Sequence, residues 1–199
     1  MKLLVATSNP GKLVEIHEIL AGVPLELASL ADLGLPAPEE TGDTFRDNAA
    51  QKATTCARAS GLWTLADDSG LCVDALGGAP GLHSARYAPT DAERRAKLLA
   101  ALRDVPEGRR GAHFFCAVAL SEPQGARVAH EEGRVDGSIA AAPRGTNGFG
   151  YDPLFLPAET PGTTLAELGA EEKNQLSHRG RALRRMLPQL ARLARDGGL

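Results

Sequence analysis

A largely apolar run, Leu62-Trp63-Thr64-Leu65-Ala66, leads straight into two adjacent carboxylates, Asp67 and Asp68. Such a run reads as a buried strand. Charges are almost never fully buried unless they are paired or bound to metal. The two acids are therefore expected where the strand leaves the core, which in open α/β sheets is where ligands gather. Extended residues alternate between faces, so one acid of the pair faces the ligand. Asp68 is the better candidate, because Ser69-Gly70 follows it and lets the backbone come close to a ligand. A polar turn between two strands is the ordinary alternative for the same four residues.

With 199 residues, the chain is long enough for one domain with a substantial core, or one domain with two lobes. A net charge of −3 argues against a broad nucleic-acid-binding surface, so any phosphate must be held by a few well-placed groups. Cys56, Cys72 and Cys116 are isolated and set in apolar surroundings. They read as reduced, buried, small hydrophobes of a cytoplasmic protein. The first residues enter a strand pattern at once, with no signal-peptide pattern. No apolar run is long enough for a membrane span.

Leu3-Leu4-Val5-Ala6 reads as a short strand, and Leu13, Ile16 and Leu20 as one face of a helix. Between them lie Thr7, Ser8, Asn9, Pro10, Gly11 and Lys12. Strand, small polar loop and helix is an arrangement that aims backbone N–H groups at an anion. Ser8 or Asn9 can cap the helix. A lysine at a helix start opposes the macrodipole unless an anion is present. This is not a Walker loop, whose spacing is absent, and an ordinary capped helix with a solvated lysine is the plain alternative. Pro24 to Leu27 reads as a second strand. Leu35 to Gly42 reads as a loop carrying Glu39 and Glu40.

Thr44 to Ser60 reads as a helix with Phe45, Ala49, Ala53 and Cys56 on its apolar face, ended by Gly61. Lys52 lies beside that face, placed either to reach a ligand or to snorkel. Thr90 and Glu93 form a capping box for a helix running to about Val105. His113 to Leu120 and Arg127 to Gly133 read as a hairpin, which makes the sheet mixed. In the loop from Ala142 to Pro153, Phe149 and Tyr151 flank Gly150. An aromatic ring among glycines is well placed to stack on a flat ligand such as a base, or to plug the sheet end. Ser177 can cap the last helix, whose buried stripe is Leu183, Met186, Leu187, Leu190 and Leu193. Lys173, His178 and Arg179 are expected to cluster at its start, where cations are electrostatically misplaced.

A phosphate-type loop, candidate metal carboxylates, an aromatic platform and a late cationic cluster are the parts a nucleoside triphosphate needs. Five segments together resemble the non-canonical purine nucleoside triphosphate pyrophosphatases, also called inosine triphosphate or dITP/XTP pyrophosphatases. They are Thr7 to Glu15, Glu40 to Phe45 with Asn48-Ala49, Ala66 to Tyr87, Phe149 to Pro153, and Glu172-Lys173 through Ser177 to Gly180. The resemblance implies an α/β fold over residues 1–199 as one domain, elongated and two-lobed around a long mixed β-sheet, with flanking helices and a central substrate cleft. It also implies a magnesium-dependent homodimer that converts ITP, dITP and XTP to the monophosphate and pyrophosphate. By the same resemblance, Thr7 to Lys12 and Lys52 hold the triphosphate, and Asp68 serves as metal ligand and general base. Glu40, with Glu39 or Asp67, completes the metal shell, and Ser69 contacts substrate. Phe149 stacks on the base, with Gly150, Tyr151 and Asp152 in the pocket wall. Lys173, His178 and Arg179 reach the base edge or sugar. Two rival readings are a Maf-type pyrophosphatase acting on modified pyrimidine nucleotides and a non-catalytic nucleotide sensor.

Overall fold

The computed structural model describes residues 1–196. The fold is α/β, with one six-stranded mixed sheet and flanking helices. Its elements in chain order are β1 (Lys2–Val5), α1 (Pro10–Leu20), β2 (Glu26–Ser29), α2 (Phe45–Ser60), β3 (Trp63–Val73), α3 (Asp91–Ala101), β4 (Gly111–Ser121), β5 (Val128–Ile139), β6 (Phe155–Pro157), α4 (Ala170–Leu176) and α5 (His178–Asp196). The strand order is β2-β1-β3-β4-β5-β6. β1 pairs in parallel with both β2 and β3, whereas β5 and β6 are antiparallel.

Local chemistry accounts for most helix boundaries. Asn9 caps α1: its Oδ1 accepts from the Gly11 N–H at 2.9 Å and the Lys12 N–H at 3.2 Å, and Pro10 sits at the first helical position, where no donor is missed. Thr44 caps α2 by accepting from the Asp47 N–H at 3.1 Å, and Gly61 ends it in the left-handed region at φ 69°. Thr90 and Glu93 form the expected capping box of α3, which stops at Ala101 rather than near Val105.

The described residues divide into two compact units. The first comprises residues 1–68, 116–133 and 179 onward; the second comprises 69–115 and 134–178. Each has its own apolar core. In the first, Leu3, Val5, Ile16, Leu20, Leu65, Val118 and Leu120 pack with Leu183, Met186, Leu190 and Leu193 of α5. In the second, Leu71, Val73, Leu98, Leu102, Phe114, Val135, Leu154 and Phe155 pack together.

Two expectations need correction. β3 does not end at the acids but runs on through Asp67, Asp68, Ser69 and Gly70 to Val73. Mid-strand carboxylates are tolerated because cations reach both of them, as described below. Cys72 is only half-buried, since its neighbours Leu71 and Val73 take the core-facing side of the pleat. All three cysteines are free thiols.

Candidate active site

The predicted residues fall into two groups, one within each unit. In the first unit, Asp67 and Asp68 point to different partners, as alternation along a strand requires. Asp67 is 1 % exposed. Its Oδ2 receives Lys12 Nζ at 3.1 Å and Arg179 Nε and Nη2 at 3.2 and 3.1 Å. Arg179 is itself buried and gives Nη1 to the Glu15 carboxylate. Burial alone raises the pKa of Asp67, but Lys12, Arg179 and Lys52 together hold it well below the usual carboxylate range. The ion pair with Asp67 explains why Lys12 is stable at the start of α1: its anion is Asp67. Cys116 Sγ lies 4.0 Å from Asp67 Oδ2. Burial, with Asp67 beside it, pushes that thiol up to about 12.

Asp68 faces α2. Asn48 Nδ2 donates to its Oδ2 at 2.9 Å, and Lys52 Nζ stands 3.7 Å from its Oδ1. Lys52 also donates to Glu40 Oε1 at 2.6 Å. Burial raises the pKa of Asp68 above the ordinary value, a shift that Lys52 and Lys12 partly offset. For Lys52, burial pulls the pKa down, but Asp67, Asp68 and Glu40 outweigh it and keep the ammonium charged.

Glu40 and Asp68 are thus two carboxylates converging on one cation. Glu39 is exposed, and no cage of three or more His, Cys, Asp or Glu side chains forms among the described residues. A pair without a cage suits magnesium, which takes one or two carboxylates and completes its shell with substrate phosphates and water. Asp67 belongs to the other cluster, occupied by Lys12 and Arg179.

Beside the Thr7 to Lys12 loop lies a cavity of about 280 Å³, lined by Thr7, Ser8, Asn9, Pro10 and Leu13 and by Ser29, Leu30, Ala31, Leu35 and Ala37. Lys12, Glu40, Lys52 and Asp68 are not in its wall. The first-turn amides of α1 are already engaged: Gly11 and Lys12 donate to Asn9 Oδ1, Leu13 donates to the Asn9 carbonyl at 3.1 Å, and Pro10 has no donor. The Asn9 cap that the sequence allows is thus formed and takes these amides. Asn9 supplies the acceptor, and the hydroxyls of Thr7 and Ser8 and the Lys12 ammonium are the remaining polar groups of the loop.

In the second unit, Phe149 is half-buried with Lys173 Nζ 5.0 Å from its ring centroid. Lys173 donates to Asp152 Oδ2 at 2.5 Å, and the same oxygen accepts from the Phe149 N–H at 2.8 Å. Gly148 has φ 71°, and a Cβ there would collide with the Asp152 carboxylate and Lys173. The loop closes tightly because that residue has no side chain. Gly150 is tied down by its N–H to Asp91 at 2.7 Å and by Arg95 on its carbonyl at 2.7 Å. Tyr151 is 4 % exposed and donates its hydroxyl to the Ser84 carbonyl at 3.0 Å, which makes it a core residue. His178 stacks on Phe114 at 4.5 Å, and Ser69 is half-buried.

Lys173, His178 and Arg179 each meet a partner of their own within their unit. Lys173 goes to Asp152, His178 to Phe114, and Arg179 to Asp67 and Glu15. The buried charges of Lys173 and Arg179 are met by carboxylates, which their burial demands. Ser177 is buried and stands directly before α5 with extended backbone, the position expected of that helix's cap. Two residues without an assigned role, Glu15 and Asn48, hold Arg179 and Asp68. The signal for Asn48 was its spacing: Asn48 and Lys52 lie four apart, on one face of α2.

The sequence profile of the Ham1 family matches residues 3–189. A dITP/XTP pyrophosphatase of Geobacter sulfurreducens is 52 % identical over 186 residues, covering 92 % of each chain. One of Thermus thermophilus is 51 % identical over 189 residues, covering 94 % of this chain and 90 % of that one. Among solved structures, a HAM1 protein from Coxiella burnetii matches with a TM-score of 0.84 at 42 % identity, covering 96 % of this chain and 98 % of that one. A nucleoside-triphosphatase / dITP/XTP pyrophosphatase from Mycobacterium abscessus matches with a TM-score of 0.71 at 50 % identity, covering 94 % and 100 %. With its profile and its near-full-length relatives in agreement, the chain belongs to the Ham1 family.

Proposed function

We propose that this protein hydrolyses the non-canonical purine nucleotides dITP, ITP and XTP to the monophosphate and pyrophosphate, and so clears deaminated purines from the nucleotide pool. The observation that carries this reading is the 52 % identity, over 92 % of each chain, to a relative named dITP/XTP pyrophosphatase. Water attacks the α-phosphorus, the bond to the bridging oxygen breaks, and pyrophosphate leaves. Asp68 accepts the proton from that water. Asp68 is buried and fixed by Asn48 and Lys52, which supports its placement for that transfer. Asp68 and Glu40 hold magnesium, with Glu39 nearby in sequence. When bound, the ion polarises the phosphate and neutralises developing charge. Lys12, Lys52 and the Thr7 and Ser8 hydroxyls bind the phosphate tail.

Phe149 stacks on the purine, and Lys173, fixed by Asp152, presents a donor-only ammonium beside it. Hypoxanthine and xanthine carry a 6-keto acceptor, whereas adenine carries a 6-amino donor. A cation satisfies the first and opposes the second, and mismatched polar groups discriminate by about 10⁴ or more. For Arg179, contact with a base would come in addition to its bonds with Asp67 and Glu15. We further propose a homodimer working in the cytoplasm; no helix among the described residues is long and apolar enough to cross a membrane.

The test is an assay of pyrophosphate against orthophosphate with ITP, dITP, XTP, dTTP and ATP, each with magnesium. Pyrophosphate from the first three is expected. Orthophosphate release, turnover of dTTP in preference to ITP, or tight binding without release would each overturn the reading.

A further inference from the structure

Asn48 lies on the inner side of α2 and is 1 % exposed. Both ends of its amide are used. Nδ2 donates to Asp68 Oδ2 at 2.9 Å, and Oδ1 accepts the Gly42 N–H at 2.8 Å. The amide orientation is dictated by the partners, because a carboxylate accepts and a backbone N–H donates. One helical turn on, Lys52 reaches Glu40 at 2.6 Å and stands 3.7 Å from Asp68. These contacts close a ring running from Gly42 through Asn48, Asp68 and Lys52 to Glu40, two residues before Gly42. There is no slack where loop meets helix: a Cβ on Gly42 would come within 2.8 Å of Asp47 Cβ and 2.9 Å of Asn48 Oδ1.

We propose that Asn48 is the positioning residue for the two site carboxylates, fixing the orientation of Asp68 with its nitrogen and the approach of the Glu40 loop with its oxygen. The inference rests on the hydrolytic reading above. Asparagine is the side chain of this size that offers one donor and one acceptor on a rigid plane. Aspartate at this position turns the donor into a second carboxylate facing Asp68. Leucine keeps the bulk and removes both bonds. Partners that orient ligating carboxylates are worth about 10- to 100-fold in metal affinity or activity.

The experiment compares the wild-type chain with Asn48→Asp, Asn48→Leu and Thr44→Ala, the last weakening the same helix at its cap. Steady-state hydrolysis of ITP gives kcat and KM. Calorimetric titration of magnesium, in the presence of a non-hydrolysable inosine triphosphate analogue, gives metal affinity without turnover. Both Asn48 variants are expected to lose kcat and magnesium affinity by about 10- to 100-fold, with KM within about threefold. Thr44→Ala is expected to melt lower but keep both. An Asn48→Asp protein within about twofold of wild type in both readouts overturns the proposal, as does a matching loss in Thr44→Ala. Should the Asn48 variants not fold, Gly42→Ala replaces them, since it pushes the loop off Asn48 and leaves the Asp68 bond in place. Weakened magnesium binding there supports the inference, and unchanged binding overturns it. A wild-type chain that releases no pyrophosphate counts against the proposed function, and the calorimetric arm still decides the role of Asn48.

Discussion

Burying a lone carboxylate costs several kcal/mol, and Asp67 offsets that cost through its ion pairs with Lys12 and Arg179, with Lys52 adding to them. Removing it leaves the buried Arg179 guanidinium with Glu15 as its remaining carboxylate partner. Asp67→Asn is therefore expected to lose about 3–5 kcal/mol at neutral pH, measured by denaturant unfolding. The sign of its pH dependence follows from the lowered pKa. Asp67 contributes stability that is present above its unfolded value of about 3.9 and is lost as pH falls through the lower folded value. The gap between wild type and Asp67→Asn should thus be constant from neutrality to about pH 5 and should narrow progressively below about pH 4. Phe149 makes a different kind of prediction. A base stacked on an aromatic ring is worth about 1–3 kcal/mol, so Phe149→Ala should raise the KM for ITP by about 10- to 100-fold, with less effect on kcat. An unchanged KM would remove the ring from the base site.

Among the elements, helices were the more legible in the sequence. The capping box of Thr90 depends on a residue three positions away and formed as its spacing indicated. The stripe of α5 was equally plain, because Leu183, Met186, Leu190 and Leu193 repeat at the helical period and are fully buried, although Leu187, expected with them, is only partly so. Met186→Ala should cost about 2–5 kcal/mol, read as a shift in the denaturation midpoint. The length of β3 was not legible. What lets the strand pass through two acids is Arg179, 112 residues from Asp67, with Lys12 at the same carboxylate, and Lys52 and Asn48 at Asp68. No local pattern reports a partner that distant. The candidate site divides in the same way. Thr7 to Lys12, Asp68 and Phe149 stood out by local chemistry. The engagement of Arg179 by Glu15 and the double use of the Asn48 amide appear only once the chain is folded.

At the scale of the whole molecule, two expectations from the family can be checked directly. Chelation of magnesium with EDTA should abolish pyrophosphate release, and added magnesium should restore it; release persisting in EDTA would remove the metal from the reaction. Light scattering should give a mass of about twice the 20.8 kDa chain if the homodimer forms. The two cores carry a further consequence. The chain passes from one unit to the other within β3, β4 and β5 and again at the start of α5, so each is stitched from separate stretches of the gene. No single crossover with a relative could exchange either unit whole. Engineering of either unit will have to proceed by scattered point changes, chosen from the folded neighbourhood rather than from adjacency along the chain.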